Sequence, residues 1–273
     1  MQAASRESYK VAADRLDAYV RGAEPSAVAA TADELLSVAT LLRREPRLRR
    51  ALSDPARSGE DRVGLLTGIL GGKVGADTLD LLTALVSGRW SAPSELLDGA
   101  ERLGIEALLA SADKAGELGE VEDELFRFGQ VVAGSPELSN ALSDPMAPVE
   151  QRAMLVDGLL AGKARPVTGR LVGIALAGFG GRNFHGALTR LVELAADRRD
   201  RQVAYVTVAA PLSEEEERRL GASLSAIYGR EVSVKQTVDP EVLGGVSVQV
   251  GSDLYDGTVL RRLNETRNAL AKR

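Results

Sequence analysis

A chain of 273 residues is long enough for two domains or more. Aromatic residues make up only 4%, so the core must be built from Ala, Leu and Val, which suits close helix packing better than a large β sandwich. The 34 basic and 39 acidic residues are well mixed at a net charge of −5, which argues against a nucleic-acid face, and the lack of cysteine excludes disulfides, thiolate metal sites and Cys nucleophiles.

The first residues, Met1 to Arg21, carry charges throughout and have no apolar stretch of the secretory kind. They predict a helix over Ser5–Arg21 with an apolar face of Tyr9, Val11, Ala12, Leu16, Tyr19 and Val20. A duplication follows. Ala51-Leu52-Ser53-Asp54-Pro55 recurs as Ala141-Leu142-Ser143-Asp144-Pro145, and residues 33–88 match residues 123–178 at 20 of 56 positions without a gap. Arg62, Leu65, Gly68, Gly72 and Lys73 return as Arg152, Leu155, Gly158, Gly162 and Lys163. An ungapped match of this length marks two copies of one helical unit.

Each copy reads as helix, short helix, helix, longer apolar helix. In copy one, Leu35, Leu36, Val38, Ala39, Leu41 and Leu42 form a broad apolar face that ends at Glu45-Pro46. A short helix carries Leu48 and Leu52, Ser53-Asp54-Pro55 stops it, and Ser58 with Asp61 predicts an N-cap. Copy two replaces that cap with Pro148, expected at a first helical position. Gly71-Gly72 ends the third helix, and Leu79, Leu81, Leu82, Leu85 and Val86 form the fourth. Pro93 to about Leu118 reads as one long helix between the copies, and about Asn183 to Arg199 as another after copy two.

The C-terminal part changes period. Gln202–Val208, Glu231–Thr237 and Gly245–Val250 read as strands. Ser213 and Glu216 form a capping box that opens a helix to about Tyr228, with four carboxylates at its positive end. A last helix is expected from about Gly257 to Ala271, ending on Lys272 and Arg273. The expected fold is mainly α with a small α+β C-terminal domain: a duplicated helical bundle, then β-α-β-β-α. The expected divisions are 1–110 for the N-terminal bundle, 111–200 for the second helical unit and 201–273 for the small domain.

Motifs for chemistry fail on inspection. Gly71-Gly72-Lys73 and Gly162-Lys163 lack the earlier Gly and following Ser or Thr of a phosphate loop, and read as helix ends. Gly178-Phe179-Gly180-Gly181 follows helix rather than strand, so it is a helix-to-helix turn and not a dinucleotide loop. His185, the one histidine, has no Cys or arranged carboxylate beside it and reads as a partly exposed helix residue. Glu214–Glu217 point in different directions around a helix and read as a solvated start, not a cation site. Trp90, the sole Trp, is expected in the core. No enzyme, cofactor or metal is expected. With no run of ~20 apolar residues, nothing is expected to span a bilayer.

Near the end, Val238-Asp239-Pro240 leads to Leu243-Gly244-Gly245-Val246, then to Val248, Val250 and Gly251, and on to Leu254, Asp256-Gly257 and Thr258. This series resembles the C-terminal signature of the delta subunit of F-type ATP synthases, the oligomycin-sensitivity-conferring protein of mitochondria. The N-terminal helix and copy one also resemble that family, and the extra copy adds about 90 residues, as in long actinobacterial members. In some relatives the delta region follows a membrane-anchored stalk helix; none is expected before Met1.

The resemblance implies a non-catalytic subunit of the peripheral stalk, at the cytoplasmic face of the membrane and held there only through the complex. It implies an N-terminal bundle that receives the N-terminal helices of alpha subunits and a C-terminal domain that grips the b-subunit stalk. It places the alpha-binding groove on the first and fifth bundle helices, here Tyr9, Ala12, Ala13 and Leu16 with Leu81, Leu82 and Leu85, or with Leu171, Val172 and Ala175 of copy two. Family members often carry an aromatic residue where this chain has Ser8. Asp239, Leu243, Gly244, Gly245, Val246, Val248, Gly251, Asp256 and Gly257 are the signature positions, expected to be mainly structural. A rival reading from the duplication alone is a free helical-repeat scaffold unrelated to ATP synthase.

Overall fold

The computed structural model describes residues 1–144, 146–199, 201–229, 231–240, 242, 244–251 and 253–259, except the side chain at 201. The chain forms two compact units, one of residues 1–121 with 141–187, the other of residues 122–140 with 188–273. The first unit is helical. It opens with helices α1 (Ala3–Gly22), α2 (Pro25–Arg44), α3 (Pro46–Leu52), α4 (Gly59–Leu70), α5 (Ala76–Ser87) and α6 (Pro93–Lys114). Helices α7 (Leu118–Ala133) and α8 (Pro136–Ser143) continue the chain, followed by α9 (Val149–Leu160), α10 (Pro166–Leu176), a 3-10 turn at Phe179–Gly181 and α11 (Phe184–Arg198).

The helix boundaries have local causes. Proline stands at the start of α2, α3, α6 and α10, where its missing N–H costs nothing. Ser58 and Asp61 form the expected capping box of α4, and Ser213 and Glu216 that of α12 (Glu214–Tyr228). Pro148 stands one residue earlier than expected, at the N-cap of α9. The long helix after copy one also stops earlier than expected, at Lys114. Gly116 takes φ +73, and the Glu117 N–H donates back to Ala112 O at 2.8 Å, so the chain turns and starts α7 at Leu118.

Helix α6 is the centre of the first unit and touches α1, α2, α3, α5 and α10. Leu96, Leu103, Ile105, Leu108 and Leu109 are all fully buried. Its small residues set the spacing: a Cβ on Gly104 would lie 2.8 Å from Leu36 of α2, and one on Gly99 would lie 2.5 Å from the Trp90 ring. Trp90 is in the core as expected, 5% exposed, with its ring N–H on Leu85 O at 2.9 Å. Helix α1 buries Tyr9, Ala12, Leu16 and Val20, spaced three and four apart. Val11, expected on that face, is 51% exposed, because it lies about 200° around the helix from Tyr9.

The second unit carries a four-stranded mixed sheet in the order β2-β1-β3-β4, with β1 (Arg201–Val208), β2 (Glu231–Val238), β3 (Val246–Val250) and β4 (Asp253–Asp256). β1 and β2 are parallel through the α12 crossover, and β1–β3 and β3–β4 are antiparallel. β4 is not among the expected strands: Gly251 and two aspartates are poor strand formers, yet Gly251 at φ +58 lets the chain double back and pair Val250 with Asp253. One sheet face, with Ala204, Val206, Val208, Val232, Val248 and Val250, packs with Leu224 of α12. The expected last helix, about Gly257 to Ala271, lies, past residue 259, outside the described residues.

The opposite face meets α7 through charge. Glu122 is fully buried, and its carboxylate accepts from Lys235 at 2.8 Å, Arg199 at 2.8 Å and the Ser233 hydroxyl at 2.7 Å. Lys235, 5% exposed, also reaches Asp123 at 2.6 Å. Gln130 donates to Thr237 at 3.0 Å, and the Phe126 and Tyr205 rings lie 6.3 Å apart. A carboxylate this deep is held only while both cations face it. Replacement of Glu122 by Ala leaves buried Lys235 only the exposed Asp123 and takes from Arg199 its buried partner, and is expected to lower unfolding stability by about 3–5 kcal/mol in urea titrations; a loss under about 1 kcal/mol would count against this role.

Candidate partner-binding site

The helices named by the resemblance meet directly, since α1 packs on α5. Most of their named side chains are spent on that contact. Tyr9 is 6% exposed, and Ala12, Leu16, Leu81, Leu82 and Leu85 are at 1% or less; Ala13 alone is half-buried. Arg102 of α6 lies over the Tyr9 ring, 4.5 Å from its centre. Burial, followed by the nearby Glu106 charge, pushes the Tyr9 hydroxyl well above its ordinary range, so it stays protonated.

The surface of this pair follows from three residues. Ser8, Val11 and Arg15 lie at spacings of three and four along one stripe of α1. Ser8 donates to Arg89 O at 2.7 Å and presses on Gly88, past the end of α5. Arg15 forms a two-pronged ion pair with Asp80 of α5, both bonds at 2.6 Å. Asp80, Ala84 and Gly88 are likewise spaced by fours. Val11, 51% exposed, and half-buried Ala84 therefore stand along the seam between the two anchored ends. The sequence signal was an apolar residue off the core face of an amphipathic helix. At the Ser8–Gly88 contact α1 comes so close that a Cβ on residue 88 would meet the Ser8 side chain.

The N-terminus of α1 is tied by Glu95, at the start of α6. Glu95 accepts from the buried Ser5 hydroxyl and from the Gln2 N–H at 2.9 Å, and Ser5 in turn accepts from Ser91 N–H at 2.9 Å. The Ser5 bond is the main cause that holds the Glu95 carboxyl below its usual range.

In copy two the corresponding helices are α6 and α10. Leu171, Val172 and Ala175 are buried at 1% or less. Here α2 of copy one lies against both partners. Its Asp33 pairs with Arg170 of α10, and its Arg43 binds Glu101 of α6 at 2.5 Å and the carbonyl of Ala177. Glu101, 4% exposed, also accepts from Gly180 N–H at 3.3 Å. Side chains of α2 thus bridge to both helices of the copy-two seam.

The C-terminal signature is a backbone lock. Asp239 N–H donates to Val208 O at 2.8 Å and ties the end of β2 to β1. Gly244 and Gly245 both take φ +86. A Cβ on Gly245 would lie 2.5 Å from Gly257 O. Gly257 N–H donates to Val246 O at 2.8 Å and Val259 N–H to Gly244 O at 3.1 Å, so the two glycine corners clasp each other. Asp256 accepts from Thr258 N–H at 2.9 Å. Val248 and Val250 are buried in the α12 face, with Val246 partly buried beside them. Leu243 lies outside the described residues.

The described residues hold no cluster of three or more His, Cys, Asp or Glu able to bind a metal, and no described helix is long and apolar enough to cross a membrane. His185 is exposed on α11.

Two outcomes follow from this geometry. Gly245→Ala adds a clash to a left-handed backbone and should destabilise the protein by roughly 2–4 kcal/mol, read as a fall in melting temperature. Because the folded pKa of Glu95 is depressed, its contribution is full above the unfolded value near 4.5 and fades as pH falls below it. The melting-temperature gap between wild type and Glu95→Gln should therefore be constant above about pH 5.5 and close toward pH 3.

A family model described as the ATP synthase delta (OSCP) subunit matches residues 106–270. The chain is 86% identical to an ATP synthase subunit delta of Salinispora arenicola, over the whole of both chains. It is 46% identical to that of Streptomyces griseus, over 99% of this chain and all of the other. It is 43% identical to that of Parafrankia, again over both whole chains. A chain of the Toxoplasma gondii mitochondrial ATP synthase hexamer overlaps 61% of this chain and 94% of its own, at 20% identity and a TM-score of 0.38. With its signature folded as a backbone lock and its full length matched by delta subunits, the chain belongs to the ATP synthase delta (OSCP) family.

Proposed function

We propose that this chain is the non-catalytic peripheral-stalk subunit of a proton-translocating F-type ATP synthase. It links the alpha subunits of the catalytic head to the b-subunit stalk and resists rotation of the head. The full-length match to actinobacterial delta subunits carries this reading. It also leaves the free-scaffold alternative without support. The chain acts at the cytoplasmic face of the membrane, held there by its complex, and contributes binding surfaces rather than bond-making groups.

The α1–α5 pair is the proposed seat of an alpha-subunit N-terminal helix. An amphipathic helix laid along the seam would cover Val11 and Ala84 and leave the packed Tyr9, Leu16, Leu81, Leu82 and Leu85 as the floor that sets the spacing. The residue 201–273 domain is the proposed grip on the b stalk. One observation favours a second seat: the family match begins at residue 106 and so runs through copy two. The seam there, near Leu171, Val172 and Ala175, is already lined by Asp33 and Arg43 of α2, which favours copy one.

A labelled peptide from the alpha-subunit N-terminus, titrated into the folded chain, should bind with a Kd of about 1 μM or tighter. Val11→Asp should weaken it at least ~10-fold, about 1.4 kcal/mol, while Ile174→Asp on α10 should not. The reverse pattern would move the seat to copy two. No binding at tens of micromolar would remove the alpha-linking role.

A further inference from the structure

The two copies give an internal control for what the repeat itself needs. Ala56, Gly59 and Gly64 of copy one correspond to Met146, Val149 and Met154 of copy two. Copy one folds with the small residues, and at Gly59 it requires one: a Cβ there would lie 2.8 Å from Ser87 O. Arg62, buried beside it, clamps the start of α4 to the end of α5 through the carbonyls of Val86, Ser87 and Gly88 at 2.9–3.1 Å. In copy two that clamp is relaxed. Among the described residues Arg152 donates to Leu142 O at 3.0 Å, and its Nε is buried without a partner.

The large side chains that replace the small ones point to solvent. Met146 is 87% exposed, Met154 74%, Val149 40% and the neighbouring Leu155 39%. The chain has three methionines, and apart from Met1 both are here. Methionine is the apolar side chain best able to reshape itself to a partner. Exposed carboxylates flank it: Glu150 and Asp157 lie four residues before and three after Met154, on the same face of α9, and Asp144 stands close to Met146.

Apolar residues that the fold does not ask for, bordered by negative charge, serve a partner outside the unit. We propose that the Met146–Met154 surface of copy two docks a basic amphipathic helix of another polypeptide, with an apolar stripe on the methionines and Lys or Arg beside Glu150 and Asp157. The surface lies on α9, away from the α1–α5 seam in sequence and in copy, so it stands or falls independently of the alpha-subunit seat.

Methionine-methyl NMR on the full chain tests this, since only Met1, Met146 and Met154 give signals. The probe is a synthetic Leu/Lys amphipathic helix of about five turns, ~18 residues. The Met146 and Met154 signals should shift saturably and Met1 should stay. A Leu/Glu helix of the same length should move none of them. Met146→Ser with Met154→Ser should weaken the Leu/Lys peptide at least tenfold and leave binding of the alpha-subunit peptide unchanged. The proposal is overturned by no shift at ~100 μM peptide, by equal shifts at Met1, or by equal effects of the Leu/Glu helix. It is also overturned if anionic lipid vesicles, or higher concentrations of the chain alone, produce the same shifts, since those outcomes assign the surface to a membrane or to a second copy.

Discussion

The first unit depends on one requirement: α6 must be covered on nearly every side. A helix apolar over most of its circumference cannot stand in water, and α6 buries Leu, Ile, Ala and Gly from Leu96 to Ala112. The surrounding helices are arranged to meet that need. Gly104 lets α2 approach until Leu36 touches it, and Gly99 receives the Trp90 ring. The one buried carboxylate on the helix, Glu101, is answered by Arg43 and by a backbone N–H. Each added methyl on this helix would push a neighbour away, which is why its small residues matter as much as its leucines.

Helix α6 also explains how one repeated unit yields two unlike surfaces. It closes copy one and stands at the start of copy two, in the place that α1 holds for copy one. Because α6 is shared, α2 packs on α6 and reaches α10 through the Asp33–Arg170 ion pair, so that side chains of α2 border the second seam. Among the described residues no ion pair is seen that bridges the first seam in the same way from α2. The duplication therefore does not double the proposed seat. It leaves one seam open and frees other parts of copy two, such as the start of α9, to diverge.

The second unit solves a different problem, that of fixing a small sheet firmly on both faces. On one face the alternating valines of β1 and β3 pack with α12. On the other, buried Glu122 gathers Lys235 and Arg199, an arrangement that tolerates little movement because each charge is costly without the others. The glycine corners at Gly244–Gly245 and Gly257 close the end of β3 by backbone bonds alone.

Much of this was written in local patterns. The repeat, its capping box at Ser58, the β-α-β-β order and the signature glycines were legible because they rest on spacing, turn residues and period, which act within a few residues. β4 was not legible, since Asp253 and Asp256 have no strand preference and are held by pairing with β3. The end of α6 was missed because Gly116 acts through its backbone conformation rather than its side chain. The site divides in the same way. Sequence alone determined that α1 and the fourth helix of each copy carry apolar faces. Only tertiary structure decided that Tyr9, Leu16, Leu81 and Leu85 are consumed in packing, that Val11 lies along the open seam, and that side chains of α2 bridge the equivalent seam in copy two. Those outcomes depend on which helices come to lie together across many tens of residues, and no local preference encodes that.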